Sequence, residues 1–232
     1  MRSHDTISLG WCDPGTVDGE FAVAISMIAA ARTPRLGPVI RVEGACLISR
    51  LRNQIVSTFL AQSRAEWLLM LDADEVLSVP AFDALCDAAD VDERPIVAGL
   101  YFGAFDMGEA YPTPMPMVFA RDAKTGGYQP IHDLPANEVI RIDAAGTGCL
   151  LIHRRVLEAM REHHTADEGP DYCWFIDGPV NGQWVGEDVA FCMRAAMRGF
   201  PLHAATAATL PHRKRYWLTA GHHALHRSVM EE

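Results

Sequence analysis

The chain is short of positive charge and of anything that would hold it in a membrane. Its 232 residues include only two lysines, Lys124 and Lys214, and 30 acids against 20 Lys plus Arg give a formal net charge of -10. Nucleic-acid backbones are gripped by concentrated Lys and Arg, so this balance argues against a nucleic-acid partner. A diphosphate ligand would have to be met by a divalent cation, by arginines or by backbone amides. The longest apolar run, Phe21 to Ala31, is too short to cross a bilayer and reads as a buried helix. No apolar signal region precedes the first strand, which predicts a cytoplasmic protein. Cys12, Cys46, Cys86, Cys149, Cys173 and Cys192 lack the paired spacing of a structural metal site and are expected to be reduced core thiols. No Ser/Gly-rich stretch divides the chain, and 49% hydrophobic with 22% charged residues suits one globular domain.

What is present is an alternation of strand and helix. Thr6 to Leu9 reads as a strand, Gly10 to Gly15 as a loop, and Val17, Phe21, Ala24, Ile25 and Ile28 as one helix face. Val39 to Val42 suits a second strand, and Val56, Phe59 and Leu60 mark a helix leading to a strand at Trp67 to Leu71. Ser78 and Pro80 announce a helix carrying Phe82, Leu85, Cys86 and Ala89, and Ile96 to Phe102 is the next strand. This order implies an α/β fold, a mostly parallel sheet with helices on both faces.

The second half reads differently. Pro112, Pro114 and Pro116 restrict Tyr111 to Met117 to extended or edge conformations, and Glu138 to Asp143 alternates like a half-buried strand. Gly146-Thr147-Gly148 precedes a strand at Cys149 to His153 and a helix with Val156, Leu157 and Met160. A long loop from Thr165 to Val185 carries Tyr172, Trp174, Phe175 and Trp184 among acids and glycines. Such rings either stack on a sugar or anchor the loop to the core. A helix follows from Val185 to Gly199, with apolar residues at Val189, Cys192, Met193 and Ala196. A strand from Leu202 to Leu210 and a terminal helix with His222, His223 and His226 on its surface complete the chain.

Chemistry concentrates at three points. Trp67 to Leu71 is five large apolar residues running straight into Asp72-Ala73-Asp74-Glu75. Open α/β sheets bind ligands at that end of a strand, and unpaired carboxylates beside a core call for a cation or a hydrogen-bond network. Glu187 and Asp188 open a helix, where acids either complement the dipole or do chemistry. His212, as a neutral imidazole near two carboxylates, would complete a mixed nitrogen and oxygen site for an ion such as manganese, or belongs to a basic surface turn.

The order of these features resembles the GT-A-type glycosyltransferases, close to family 2. The resemblance rests on a strand-helix start, Arg50-Leu51-Arg52-Asn53, Asp72-Ala73-Asp74, Gly146-Thr147-Gly148-Cys149, Gly186-Glu187-Asp188 and His212, and spans about Thr6 to Lys214. It implies a nucleotide-sugar-binding half over about 1–105, an acceptor-binding half over about 106–212 and a terminal tail over 213–232. Asp74 and His212 would hold Mn2+ or Mg2+, with Asp72 facing the ribose or donor sugar and reaching the metal through water. Arg52, with Arg50, would contact the nucleotide of a nucleotide-diphospho-sugar donor, a UDP-sugar first. Asp188 would be the general base of an inverting enzyme, with Glu187 the competing assignment. Trp174, Trp184 and Tyr172 would meet a glycan, protein or small-molecule acceptor. The first loop, Gly10-Trp11-Cys12-Asp13-Pro14-Gly15, departs from the family pattern, so Trp11 either stacks on the nucleobase or packs. Two other readings remain: a haloacid-dehalogenase-type phosphatase with Asp72 as nucleophile and Asp74 as acid/base, and a non-catalytic carbohydrate-binding protein of the same fold.

Overall fold

The computed structural model describes residues 1, 5–32, 36–106, 112–163, 173–180 and 183–230. The first half alternates as expected: β1 (Ile7–Asp13), α1 (Gly19–Arg32), β2 (Leu36–Glu43), α2 (Ile48–Gln62), β3 (Trp67–Leu71), α3 (Val79–Ala88) and β4 (Ile96–Leu100). The start signal of α3 operates as read, since the Ser78 hydroxyl accepts the Ala81 amide at 3.2 Å. The second half adds β5 (Phe102–Phe105), β6 (Thr113–Pro116), β7 (Val118–Arg121), β8 (Tyr128–Pro130), β9 (Val139–Ile142), β10 (Ala144–Ala145), β11 (Cys149–His153) and α4 (Arg154–Glu162). It ends with β12 (Gly178–Val180), β13 (Gln183–Val185), α5 (Glu187–Met197), β14 (Leu202–Thr209) and α6 (Ala220–Met230). Among the described residues, no helix is long and apolar enough to cross a membrane.

Seven strands form the main sheet in the order β2-β1-β3-β11-β4-β14-β9. β2, β1, β3, β4 and β14 run one way, and β11 and β9 run against their neighbours, so the sheet is mixed and mostly parallel. β3 is buried along its whole length because it serves both faces. Leu68 and Met70 pack with Ile55 and Phe59 of α2, Val156 of α4 and Phe191 of α5. Trp67, Leu69 and Leu71 pack with Phe21 and Ile28 of α1 and Phe82 and Leu85 of α3. Each such side chain contributes about 1.5–3 kcal/mol by burial.

The chain leaves β1 for β2 on one side and returns to β3 on the other. The winding therefore reverses between β1 and β3, and a crevice opens at their carboxyl ends.

Several expectations are corrected. β1 runs through Gly10 to Asp13, a stretch expected as loop, because α2 lies against it: a Cβ at Gly10 would come 2.4 Å from Ile55 Cγ2. α1 buries only the face of Phe21, Ala24 and Ile28 and exposes Val23 and Met27, so the run from Phe21 is not a fully buried helix. The expected loop from Thr165 to Val185 contains the β12–β13 hairpin. In α5 the buried face is Ala190, Phe191, Cys192 and Ala195, and Ala196 is exposed, because the helix packs on β10 through the Phe191 side. His222 is buried, accepting the Thr219 amide at 2.8 Å and stacking on Tyr216. All six cysteines are free thiols, but only Cys86, Cys149 and Cys192 are core residues; Cys46 is exposed and Cys12 and Cys173 are half-buried.

Candidate active site

Asp72 and Asp74 follow the last residue of β3, and backbone bonds bring their distant partners to them. The Asp72 amide donates to the Gly148 carbonyl at 2.8 Å, tying the turn to the start of β11. Residues 211–213 run antiparallel to 74–76: the Val76 amide donates to Pro211 at 3.0 Å and the Arg213 amide to Asp74 at 2.8 Å, with a bridge between Glu75 and His212. This ladder carries His212 to Asp74. Its Nε2 lies 3.2 Å from Asp74 Oδ2, and its Nδ1 lies 2.8 Å from the Phe102 carbonyl oxygen. Lys214 Nζ lies 3.3 Å from the same Asp74 oxygen.

Arg52 joins the other acids. Its Nη2 donates to both Asp72 oxygens at 3.0 and 3.1 Å, and its Nη1 donates to Glu187. Asp188, one residue on, has no ion pair among the described residues; its Oδ1 accepts the Val189 amide at 2.7 Å. α5 starts here because the Glu187 amide, an otherwise orphan donor, bonds Asp177 Oδ1 at 3.1 Å. The preceding segment is latched to α2 by Asn53, which donates to the Phe175 carbonyl at 2.6 Å and accepts the Trp174 and Phe175 amides at 2.8 and 2.9 Å.

Two adjoining cavities share Ile48, Asp72 and Asp74. One, about 600 Å³, lies at the β1–β3 crevice against Cys12, Asp13, Thr16, Asp18 and Arg215. The other, about 350 Å³, brings Arg52, Asp72, Asp74, Glu187, Asp188, His212 and Lys214 to one wall system with Tyr101 and Thr147. The first falls within the range of about 300–1,000 Å³ usual for ligand sites.

No family model matches the sequence, and no curated protein does. Solved structures do. The A197 protein from STIV superposes with a TM-score of 0.55 at 13% identity, over 92% of this chain and 97% of that one. GalNAc-T7, solved with UDP, GalNAc and Mn2+, superposes with a TM-score of 0.58 at 14% identity, over 91% of this chain and 44% of that one. The chain has a GT-A-type fold. At this identity the likeness concerns the fold, and residues of the GT-A site have to be judged on their own geometry.

Judged so, the GT-A expectations divide. Asp74 and His212 meet, while Asp72 is turned onto Arg52 by a two-fold charged bond. Among the described residues no group of three or more His, Cys, Asp or Glu side chains is placed to hold a metal ion. Arg52 lies in the cleft, but Arg50 is exposed and lines neither cavity. Trp11 is not in the cleft either. Its indole meets Phe21 edge-on at 5.4 Å and donates to Asp13 at 3.0 Å, so it packs α1 against the sheet. Trp174 is a core residue donating to the Leu157 carbonyl at 2.9 Å, which leaves it unable to meet an acceptor. Trp184 is exposed, and Tyr172 lies outside the described residues.

Burial sets the electrostatics. It would raise the Asp74 carboxyl, but the His212 and Lys214 bonds outweigh it and hold the pKa below the ordinary value. Burial raises Glu187 despite Arg52, and raises Asp188 despite the Val189 amide. Three neighbours were missed by sequence reasoning. Glu75 is fully buried with neither oxygen hydrogen-bonded among the described residues, and burial with the charges of Asp72 and Asp74 drives its pKa well up. Tyr101 accepts the Gly148 amide at 3.1 Å and meets the His212 ring edge-on at 5.3 Å. Asp13 is buried against Arg41, with bonds of 2.7 Å from both Nε and Nη2. None of the three had a clear signal, since Asp13 lies in the stretch read as loop.

Proposed function

We propose that the chain is a metal-assisted glycosyltransferase that moves a sugar from a nucleotide-diphospho-sugar, a uridine one first, to an acceptor hydroxyl with inversion. The observation that carries this reading is the 3.2 Å approach of Asp74 Oδ2 and His212 Nε2 beside the crevice cavity. His212 Nε2 bonds Asp74 Oδ2 directly; an imidazole whose Nδ1 donates to the Phe102 carbonyl would instead turn its Nε2 lone pair toward a cation shared with that carboxylate. Two acceptors facing each other suit a shared divalent cation, and this nitrogen and oxygen pair suits manganese or magnesium. Two protein ligands suffice where substrate phosphates and water supply the rest. Such a cation, when bound, stabilises charge developing on the departing diphosphate.

The chain's own residues divide the remaining work. Lys214 and Arg215 put positive charge at the two cavities, where a diphosphate needs it. Arg52 is paired with Asp72 and Glu187, so it orients Asp72 for the donor and holds the first turn of α5 in register. Asp188, which has no ion pair among the described residues, takes the proton of the acceptor hydroxyl, and Glu187 is committed to Arg52. The bonds from Arg52 also make Asp72 a poor nucleophile, which counts against the phosphatase reading.

Hydrolysis of UDP-sugars in the absence of acceptor tests the proposal. UDP release that requires manganese supports it. Phosphate release from a simple monoester, without sugar-nucleotide turnover, points to a phosphatase instead.

A further inference from the structure

We infer that the acceptor is a saccharide chain whose second sugar unit, next to the one bearing the reacting hydroxyl, sits in a separate cavity of about 280 Å³ beside α5. This rests on the transferase reading and gives its acceptor a chemical class. Trp184, on β13, keeps 75% of its surface exposed and lines that cavity with Tyr128 of β8 and with Val189 and Met193 of α5. An indole left this open holds no core together. Its face suits the C–H face of a pyranose, whose hydroxyls then need polar partners at the rim. Arg121 supplies five donors there, and its guanidinium has no ion pair among the described residues. The volume lies just under the about 300 Å³ at which ordinary small-ligand sites begin, which fits one sugar unit and not a whole nucleotide.

The cavity also lies beside the proposed base. Gly186 and Val189 line it, while Glu187 and Asp188 between them line the catalytic cleft. Three residues of helix span about 4.5 Å, so the two sites are neighbours around one helical turn. Gly186 has φ of -67° and ψ of 159°, which any residue adopts, so its backbone does not require glycine. A Cβ at 186 would lie 3.2 Å from Asp188 Oδ1 and would press on that carboxylate. The bare Gly186 backbone lies between the indole-lined cavity and the cleft that holds Asp188, the place where a saccharide would cross from one unit to the next.

The test is the chain-length dependence of saccharide binding, measured by saturation-transfer NMR and titration calorimetry with manganese and UDP present. The probes are glucose, galactose, mannose and N-acetylglucosamine with their di- and trisaccharides. At least one disaccharide should bind about tenfold tighter than its own monosaccharide, and Trp184→Ala should erase that advantage while leaving monosaccharide binding as it was. Arg121→Gln should reduce it in part. Equal binding of mono- and disaccharides, no saccharide binding, or an advantage that survives Trp184→Ala would overturn the inference. UDP binding in the same samples separates the two levels: if UDP binds with manganese and no chain-length effect is seen, the acceptor inference fails and the transferase reading stands. If UDP does not bind, the transferase reading itself fails.

Discussion

Glu187 and Asp188 are adjacent acids with different tasks, and Arg52 makes the difference. Glu187 is paired with the guanidinium and Asp188 is not, so only the second is available as a base. Asp188→Asn should leave UDP binding intact and slow transfer by about 10²–10⁴-fold. Because burial raises the Asp188 pKa, activity should be lost as pH falls through a value above the ordinary aspartate figure of about 4. A pH-rate profile checks this, and full turnover by Asp188→Asn would remove the assignment. Asp13 titrates the opposite way. The Arg41 bonds hold it down to about 2, so the folded state binds its proton more weakly than the unfolded chain does. The resulting stabilisation is complete above about pH 4 and disappears as pH falls toward 2. Asp13→Asn should cost about 1–3 kcal/mol at pH 7, with the gap narrowing below pH 4, in urea unfolding at both pH values. A gap that does not change with pH would refute the pairing. Asp72 and Asp74 stood out in the sequence as candidates because they abut an apolar strand, and Asp188 because it opens a helix beside Glu187. Glu75 did not, since nothing local distinguishes a turn acid in water from one enclosed by Tyr101 and Gly148.

At the scale of elements, the site depends on where α5 begins, and Asn53 on α2 controls that from a distance. Its side chain satisfies one carbonyl and two amides of Trp174 and Phe175, just upstream of the α5 cap. Asn53→Ala should destabilise the fold by about 1–3 kcal/mol and speed amide exchange at Trp174 and Phe175 more than in β3. Unchanged exchange at those two amides would show that the latch carries no strain. The sequence revealed strands and helices wherever periodicity was strong, as in β3 and α3. It misjudged partnerships. The α5 stripe was read from Val189 when Phe191 decides the buried side, and Trp174 was offered to an acceptor when the Leu157 carbonyl holds it. Both errors concern which neighbour an apolar residue faces, and spacing along one helix or loop does not encode the neighbour.

For the whole molecule, topology does most of the positioning. Reversal of winding between β1 and β3 opens the crevice, β11 supplies the Gly148 contact to the Asp72 turn, and the segment after β14 returns His212 and Lys214 over 130 residues to Asp74. Alternating strands and helices made the α/β class and the crevice legible, but not the antiparallel insertion of β11 between β3 and β4, because pairing direction depends on a crossover that composition leaves open. The central claim is that Asp74 and His212 together hold one cation that holds a nucleotide diphosphate. Calorimetric titration of UDP, with and without manganese, into the unsubstituted protein, Asp74→Ala and His212→Ala tests it most directly. The account predicts manganese-dependent UDP binding that weakens at least about tenfold in each variant. UDP binding of equal strength without manganese, or undiminished in both variants, would contradict it.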